Sequence, residues 1–247
     1  HPVRRGAIGA TGFEVLDPEP QPERNYVAID ALLATAPLAP EVSALARRIF
    51  RRLGEAEADV HRIPLDAVHF HEVGAVDAIA DVVGAAAGLA HLGARVVASP
   101  LPMGYGTVRC RHGVLPLPAP ATVACLVGVP TYAAGIEAEL VTPTGAAIVA
   151  TVASAYTRWP PFAPERVGWG AGTRELPDRP NLLRVVLGTP TADASSGPTH
   201  VVLEANVDDL TGELAAHAIE RLMAQGALDA WATPITMKKG RPAFTLS

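Results

Sequence analysis

Cysteine is nearly absent: the 247-residue chain holds only Cys110 and Cys125. Two lone thiols form neither a disulfide framework nor a paired-cysteine zinc pattern, and they fit a reducing cytoplasm. Aromatic residues make up 5% of the chain, too few for platforms that stack single-stranded nucleic acid. Basic charge is short too, with 20 Lys and Arg against 25 Asp and Glu, a net charge of −5 and a pI near 5.9. That balance argues against a general nucleic-acid or anionic-membrane surface. No signal-peptide pattern is visible, and the most apolar run, over 75–92, is broken by Asp77 and Asp81, which makes it a poor membrane span. The expectation is a soluble cytoplasmic protein without nucleic-acid or membrane partners.

What is present is ample core. Hydrophobic residues make up 49% and the mean hydropathy is +0.23, enough for one large or two small folded domains. Weak alternation over 3–16 with Gly6, Gly9 and Gly12 predicts a strand or hairpin, and 17–22 is a proline-rich connector. A short helix is predicted over 26–35. An amphipathic one follows over 41–59, with Val42, Leu45, Ala46, Ile49, Phe50 and Leu53 on one stripe. Its other face carries Arg47, Arg48, Arg51 and Arg52, either a grip for a phosphate-bearing ligand or a solvated helix face.

Further on, 95–98 reads as a short buried strand, 99–106 as loop and 107–110 as a strand. In extended chain Cys110 and His112 share a face, as soft metal ligands or as a small thiol beside a turn histidine. Pro116, Pro118 and Pro120 lead extended chain into a helix over 119–126. A turn at 142–145 feeds a helix over 146–156, with Thr144 as cap; the amides at Thr144 and Gly145 form an anion site or an ordinary cap. Residues 167–172 read as a tight glycine loop, 182–187 as a strand, and the small polar stretch 189–199 as a domain linker.

One stretch concentrates polar chemistry. His69, His71, Glu72, Asp77 and Asp81 fall within an otherwise apolar segment. In extended chain His69 and His71 share a side and Phe70 points away. Over 73–92 the pattern reads as an Ala-rich helix, apolar all round and therefore buried, with Asp77 and Asp81 stacked on one face. Buried carboxylates need a cation: a metal shared with the histidines or Glu72, an arginine, or a protonated histidine. The competing reading is a structural His–Asp hydrogen-bond network at a strand-to-helix junction.

A second cluster lies beyond the linker. A strand over 200–206, a helix over 211–225 closed by Gly226 and a strand over 230–235 form a β-α-β unit. If the strands run parallel, Asn206, Asp208 and Asp209 meet Lys238, Lys239 and Arg241 at the edge where open sheets bind ligands. Oxygen ligands suit Mg²⁺ or Mn²⁺ and lysines suit a triphosphate, so the cluster reads as a metal–nucleotide site or as a surface salt-bridge cluster.

The segment from His69 to Asp77, with Asp81 and Gly84 behind it, resembles the signature of the LarC family of nickel-insertion proteins. Four later stretches fit the same family in order and spacing: 113–121, 142–147, 203–209 and 237–242. The resemblance implies CTP-dependent insertion of Ni²⁺ into pyridinium-3,5-bisthiocarboxylic acid mononucleotide, with Mg²⁺ or Mn²⁺, by a nickel chelatase of the lyase class. It also implies that CTP belongs with the carboxyl-terminal half. Family members extend past both ends, so the chain is expected to be an incomplete enzyme.

The expected architecture is α+β: a larger mixed α/β domain over 1–188 for metal and precursor, and the first β-α-β of a ferredoxin-like nucleotide-binding domain over 200–247. Candidate catalytic residues are Asp208, Asp209, Lys238 and Lys239; Asn206, Thr144, Gly145 and Arg241 are candidates for cofactor binding; His69, His71, Glu72, Asp77, Asp81 and Asp208 are the candidate metal ligands. The rival functions are a non-catalytic nickel- or precursor-binding module and a metal-dependent hydrolase using the H-x-H-E segment. The oligomeric state stays open, a homo-oligomer included.

Overall fold

The computed structural model describes residues 1–16, 24–70, 76–191 and 202–247, which fall into two units, His1–Thr191 and Ala192–Ser247. The first opens with an antiparallel hairpin of β1 (Pro2–Arg5) and β2 (Ile8–Gly12). Helix α1 (Tyr26–Thr35) is capped by Asn25, whose Oδ1 accepts the Ala28 amide at 2.8 Å. Helix α2 (Pro40–His61) carries proline in its first turn, where no intrahelical N–H is needed, and stops at Arg62 in the left-handed conformation.

The apolar stripe of α2 organises the core: Val42, Ala46, Ile49, Phe50 and Leu53 are buried. Around them pack α1, α3 (Val76–Leu92), α4 (Pro120–Cys125) and α5 (Pro143–Val152). Gly54 lets two neighbours close on α2, because a Cβ there would stand 2.7 Å from Leu65 Cδ1 and 3.0 Å from Tyr26 Cδ2.

Small sheets surround these helices. β3 (Val96–Ala98) pairs in parallel with β8 (Ala153–Tyr156), β4 (Leu101–Met103) in parallel with β7 (Thr131–Ala133), and β5 (Thr107–Cys110) antiparallel with β6 (Gly113–Pro116). The stretch 99–106 is therefore not loop throughout. Pro102 is tolerated inside β4 because each strand of a two-stranded ribbon keeps one unpaired edge. The helix expected over 146–156 ends at Val152, and its last residues pair with β3 as β8.

The glycine stretch at 167–172, expected as a loop, closes a ten-residue strand, β9 (Phe162–Ala171), paired with β10 (Leu182–Pro190). Gly168 lies opposite Val185 and Gly170 opposite Leu183, so cross-strand pairing overrides the poor strand preference of glycine. These strands complete a four-stranded sheet in the order β1-β2-β9-β10. Because β10 runs to Pro190, the first residues of the expected linker are strand; 192–199 and the connector at 17–22 lie outside the described residues.

The second unit contains β11 (Ala205–Val207), α6 (Gly212–Ala224), β12 (Ala232–Met237) and β13 (Arg241–Leu246). The two-stranded β-α-β expected from sequence is corrected to three strands in the order β11-β13-β12. Both outer strands are antiparallel to β13, so β11 and β12 run parallel to each other without touching. This is the split arrangement of ferredoxin-like folds. The first strand is also shorter than the expected 200–206, since 202–204 are irregular. The architecture is α+β, and among the described residues no helix is long and apolar enough to cross a membrane.

Candidate functional site

Residues 68–70 are held as extended chain. Tyr26 N donates to Val68 O at 3.0 Å and Phe70 N to Arg24 O at 3.3 Å, while His69 bridges antiparallel to Asn25. Side chains alternate accordingly: Val68 and Phe70 are buried and His69 between them is exposed. His71 and Glu72 lie outside the described residues.

Helix α3 departs from the all-round burial expected of it. Only Ala78, Val82 and Ala86 form its buried line, and Asp77 and Asp81 lie exposed on another face with Gly84 and Gly88. Asp77 Oδ1 accepts the Ala78 amide at 2.8 Å. Among the described residues Asp81 has no such donor. Loss of water from its surroundings, with Asp77 adding negative charge, pushes its carboxyl above the ordinary value of 3.8. Among the described residues no three His, Cys, Asp or Glu side chains converge to hold a metal ion, so His69, Asp77 and Asp81 alone do not form a centre.

The raised pKa sets a pH signature. The folded chain binds the Asp81 proton more readily than the unfolded chain, so the associated stability is complete below about pH 3.8 and is lost as pH rises through the raised value. At neutral pH the ionised carboxylate is a net cost. Asp81→Asn should therefore raise the melting temperature at pH 7, with the gain vanishing below pH 3.8. A gain of equal size at both pH values would contradict this electrostatic origin.

The other sequence candidates in this unit resolve differently. Three of the four α2 arginines are engaged by protein: Arg47 forks onto Asp30 at 2.7 and 2.8 Å, Arg51 reaches Glu55 at 2.8 Å, and Arg52 donates to Cys125 O at 3.0 Å. Arg47 also holds the Asp30 carboxyl below its usual range. Thr142, not Thr144, caps α5, and its Oγ1 accepts the Gly145 amide at 3.2 Å, so that amide is already taken. Pro143 at the first helical position was the available signal for Thr142. Cys110 ends β5 opposite Gly113 with His112 in the turn between, so the two do not share a strand face. Burial pushes the Cys125 thiol up to about 12, which keeps it protonated and a poor metal ligand.

In the second unit the candidate residues fall at one end of the sheet. β11 runs out into Asp208 and Asp209, β12 into Lys238 and Lys239, and β13 starts at Arg241, whose Nη1 lies 3.2 Å from Asp208 Oδ2. Asn206 Oδ1 accepts the hydroxyl of Thr245, its cross-strand partner, at 2.6 Å. No local sequence signal marks Thr245, because only the pairing of β11 with β13 brings it to Asn206. All six charged and amide side chains of the cluster are exposed. Lys239 sits at φ 64°, a left-handed conformation costly for a side-chain-bearing residue, and Gly240 follows at φ 69°. That turn places the only two lysines of the chain side by side at the strand end. Carboxylates and an amide oxygen beside exposed lysines form a donor set that fits a hard divalent cation carrying a polyphosphate.

A family model described as nickel insertion protein matches residues 1–247. A putative nickel insertion protein of Geotalea daltonii is 49% identical over 242 residues, covering 98% of this chain and 62% of that protein. A Nocardioides protein named as the pyridinium-3,5-bisthiocarboxylic acid mononucleotide nickel insertion protein is 50% identical over 246 residues, covering 99% of this chain and 62% of its own length. The chain thus spans 62% of the length of these relatives. No solved structure matches it.

Proposed function

Because the chain belongs to the nickel insertion protein family, we propose that it acts as a nickel chelatase, placing Ni²⁺ in a pyridinium-3,5-bisthiocarboxylic acid mononucleotide in a CTP-dependent reaction of the lyase class. The observation that carries the reading is the family match over the whole chain, together with the acid and base cluster at one edge of the second unit's sheet. Ni²⁺ is cargo here, and the segment from His69 through His71 and Glu72 to Asp77 and Asp81 is its proposed handling site. A cytoplasmic setting is part of the proposal, and the scarcity of cysteine is compatible with it.

Within the second unit, Asp208, Asp209 and the Asn206 amide oxygen would hold Mg²⁺ or Mn²⁺, and Lys238 and Lys239 would hold the CTP phosphates. The divalent ion supplies charge neutralisation for the triphosphate. Arg241 contacts one oxygen of the Asp208 carboxylate, Oδ2, at 3.2 Å, and the other oxygen is the one proposed for the metal. Lysine ammonium groups, with three donors each, then fix the phosphate chain against that edge.

The left-handed Lys239 separates strain from charge. Lys239→Gly removes the backbone penalty and is expected to stabilise the second unit by up to about 1 kcal/mol while weakening Mn²⁺·CTP binding. Thermal melts and calorimetry on the same variant should move in opposite directions. If affinity is unchanged, Lys239 does not contact the nucleotide.

Metal analysis of the purified protein tests the function against its nearest rival. Nickel should be bound reversibly in the absence of CTP. Zinc held tightly without nucleotide would instead favour a metal-dependent hydrolase.

A further inference from the structure

One arginine of the α2 face is left over. Arg47, Arg51 and Arg52 are each satisfied by protein acceptors, whereas among the described residues the one partner of Arg48 is a 3.5 Å contact from Nη2 to the Thr151 carbonyl. Arg48 lines an open cavity of about 580 Å³ bounded by α2, the carboxyl-terminal end of α3, β3 and the junction of α5 with β8. A second arginine, Arg95, lines the same cavity, and it makes no hydrogen bond or ion pair with the described residues. Glu41 stands on the rim with them, and Leu45, Leu89, Val96 and Val152 supply apolar wall.

We propose that this cavity is a binding site for a mononucleotide-like phosphomonoester, with Arg48 and Arg95 on the phosphate, Glu41 on sugar hydroxyls and the apolar wall against the ring. Two guanidinium groups against one carboxylate leave a net positive site, and guanidinium forks match phosphate oxygens. A carboxylate accepts from hydroxyls, so Glu41 gives the site a use for a sugar that a bare anion lacks. The volume lies within the range of small-molecule sites. The wall carries no aromatic side chain, so the ring is held by aliphatic contact rather than by stacking. On the function proposed above, the natural ligand is the pyridinium mononucleotide that receives nickel, and only that identity rests on that reading.

The test is isothermal titration calorimetry on the 247-residue chain with nicotinic acid mononucleotide, a pyridinium phosphomonoester, and in parallel with its riboside and with inorganic phosphate. The mononucleotide is expected to bind at least about tenfold more tightly than either part. Arg48→Gln and Arg95→Gln should each weaken it by about tenfold, the loss of one charge-assisted phosphate contact. Arg48→Lys should fall between wild type and Arg48→Gln, and Arg51→Gln, on the same helix but outside the cavity, should leave affinity unchanged. The proposal is overturned if the mononucleotide does not bind, if its riboside or inorganic phosphate binds equally well, or if both Gln variants retain wild-type affinity. Nickel insertion that proceeds while these arms fail leaves the function standing without this site. Arginine-dependent binding in a protein that inserts no nickel keeps the site and changes only its natural ligand.

Discussion

Phe70→Ala is expected to cost about 3–5 kcal/mol of stability, the usual price of emptying a large aromatic site in a closed core. The ring is 1% exposed and meets Phe50, itself 0% exposed, edge to face at a centroid distance of 6.1 Å. Phe50 belongs to the central stripe of α2, so the contact ties the extended segment at 68–70 to the helix that organises the first unit. The alternation that buries Val68 and Phe70 also turns His69 outward. Emptying the site should therefore lower the urea midpoint and loosen the placement of His69. Phe70→Leu keeps most of the apolar volume and is expected to lose about half as much. Equilibrium urea unfolding with an unchanged slope is the measurement. An alanine variant within about 1 kcal/mol of wild type would show that the segment is not anchored by the core.

Lys238→Ala is expected to weaken Mn²⁺·CTP binding by about ten- to a hundredfold, the loss of one charge-assisted contact to phosphate. Lys238 follows β12 directly, on the exposed side of a turn that begins with its own residue. It forms no ion pair with the described residues, so its removal leaves no buried partner unpaired and the fold should hold. Asp208→Asn should weaken the metal-dependent part of the affinity and release Arg241, the 3.2 Å partner of Asp208. Calorimetry with and without Mn²⁺ separates the two contributions. Wild-type affinity in both variants would sink the assignment of this strand edge to the nucleotide.

Much of the helical framework was legible. The expected helix over 26–35 coincides with α1, and the amphipathic period placed α2 within two residues at each end, because a wide apolar stripe is a local property of the chain. The face of α3 was not legible for a related reason. Alanine and glycine are nearly neutral between core and surface, so an Ala-rich helix reads as apolar all round although only the Ala78, Val82 and Ala86 line is buried. That error placed Asp77 and Asp81 in the interior.

Pairing decided the rest. β4, β8 and the glycine-bearing end of β9 exist because distant strands receive them, and no local period announces it. The sorting of the arginines was hidden in the same way. The partners of Arg47 and Arg52 are Asp30 and Cys125, remote in sequence, so nothing near α2 singles out Arg48. In the second unit, parallel β11 and β12 followed from chain order, and the juxtaposition of Asp208 with Arg241 came with it. The strand between them did not, because a run as short as β13 directly after Lys238, Lys239 and Gly240 reads as an exit from the sheet. His71 and Glu72 lie outside the described residues.

The proposed function, nickel insertion into the mononucleotide, assigns separate contributions to the Asp77 and Asp81 segment of the first unit and to the lysine-bearing strand edge of the second. Mass spectrometry of the pyridinium bisthiocarboxylate mononucleotide, after incubation with Ni²⁺, Mg²⁺ or Mn²⁺, CTP and a protein that carries this chain at the full length of its relatives, tests it most directly. The account predicts nickel-bearing product only when CTP and the divalent ion are both supplied, and sharply less of it from Lys238→Ala and from the Asp77→Asn, Asp81→Asn double variant, each still folded. Equal yields without CTP, or undiminished yields from both variants, would contradict it.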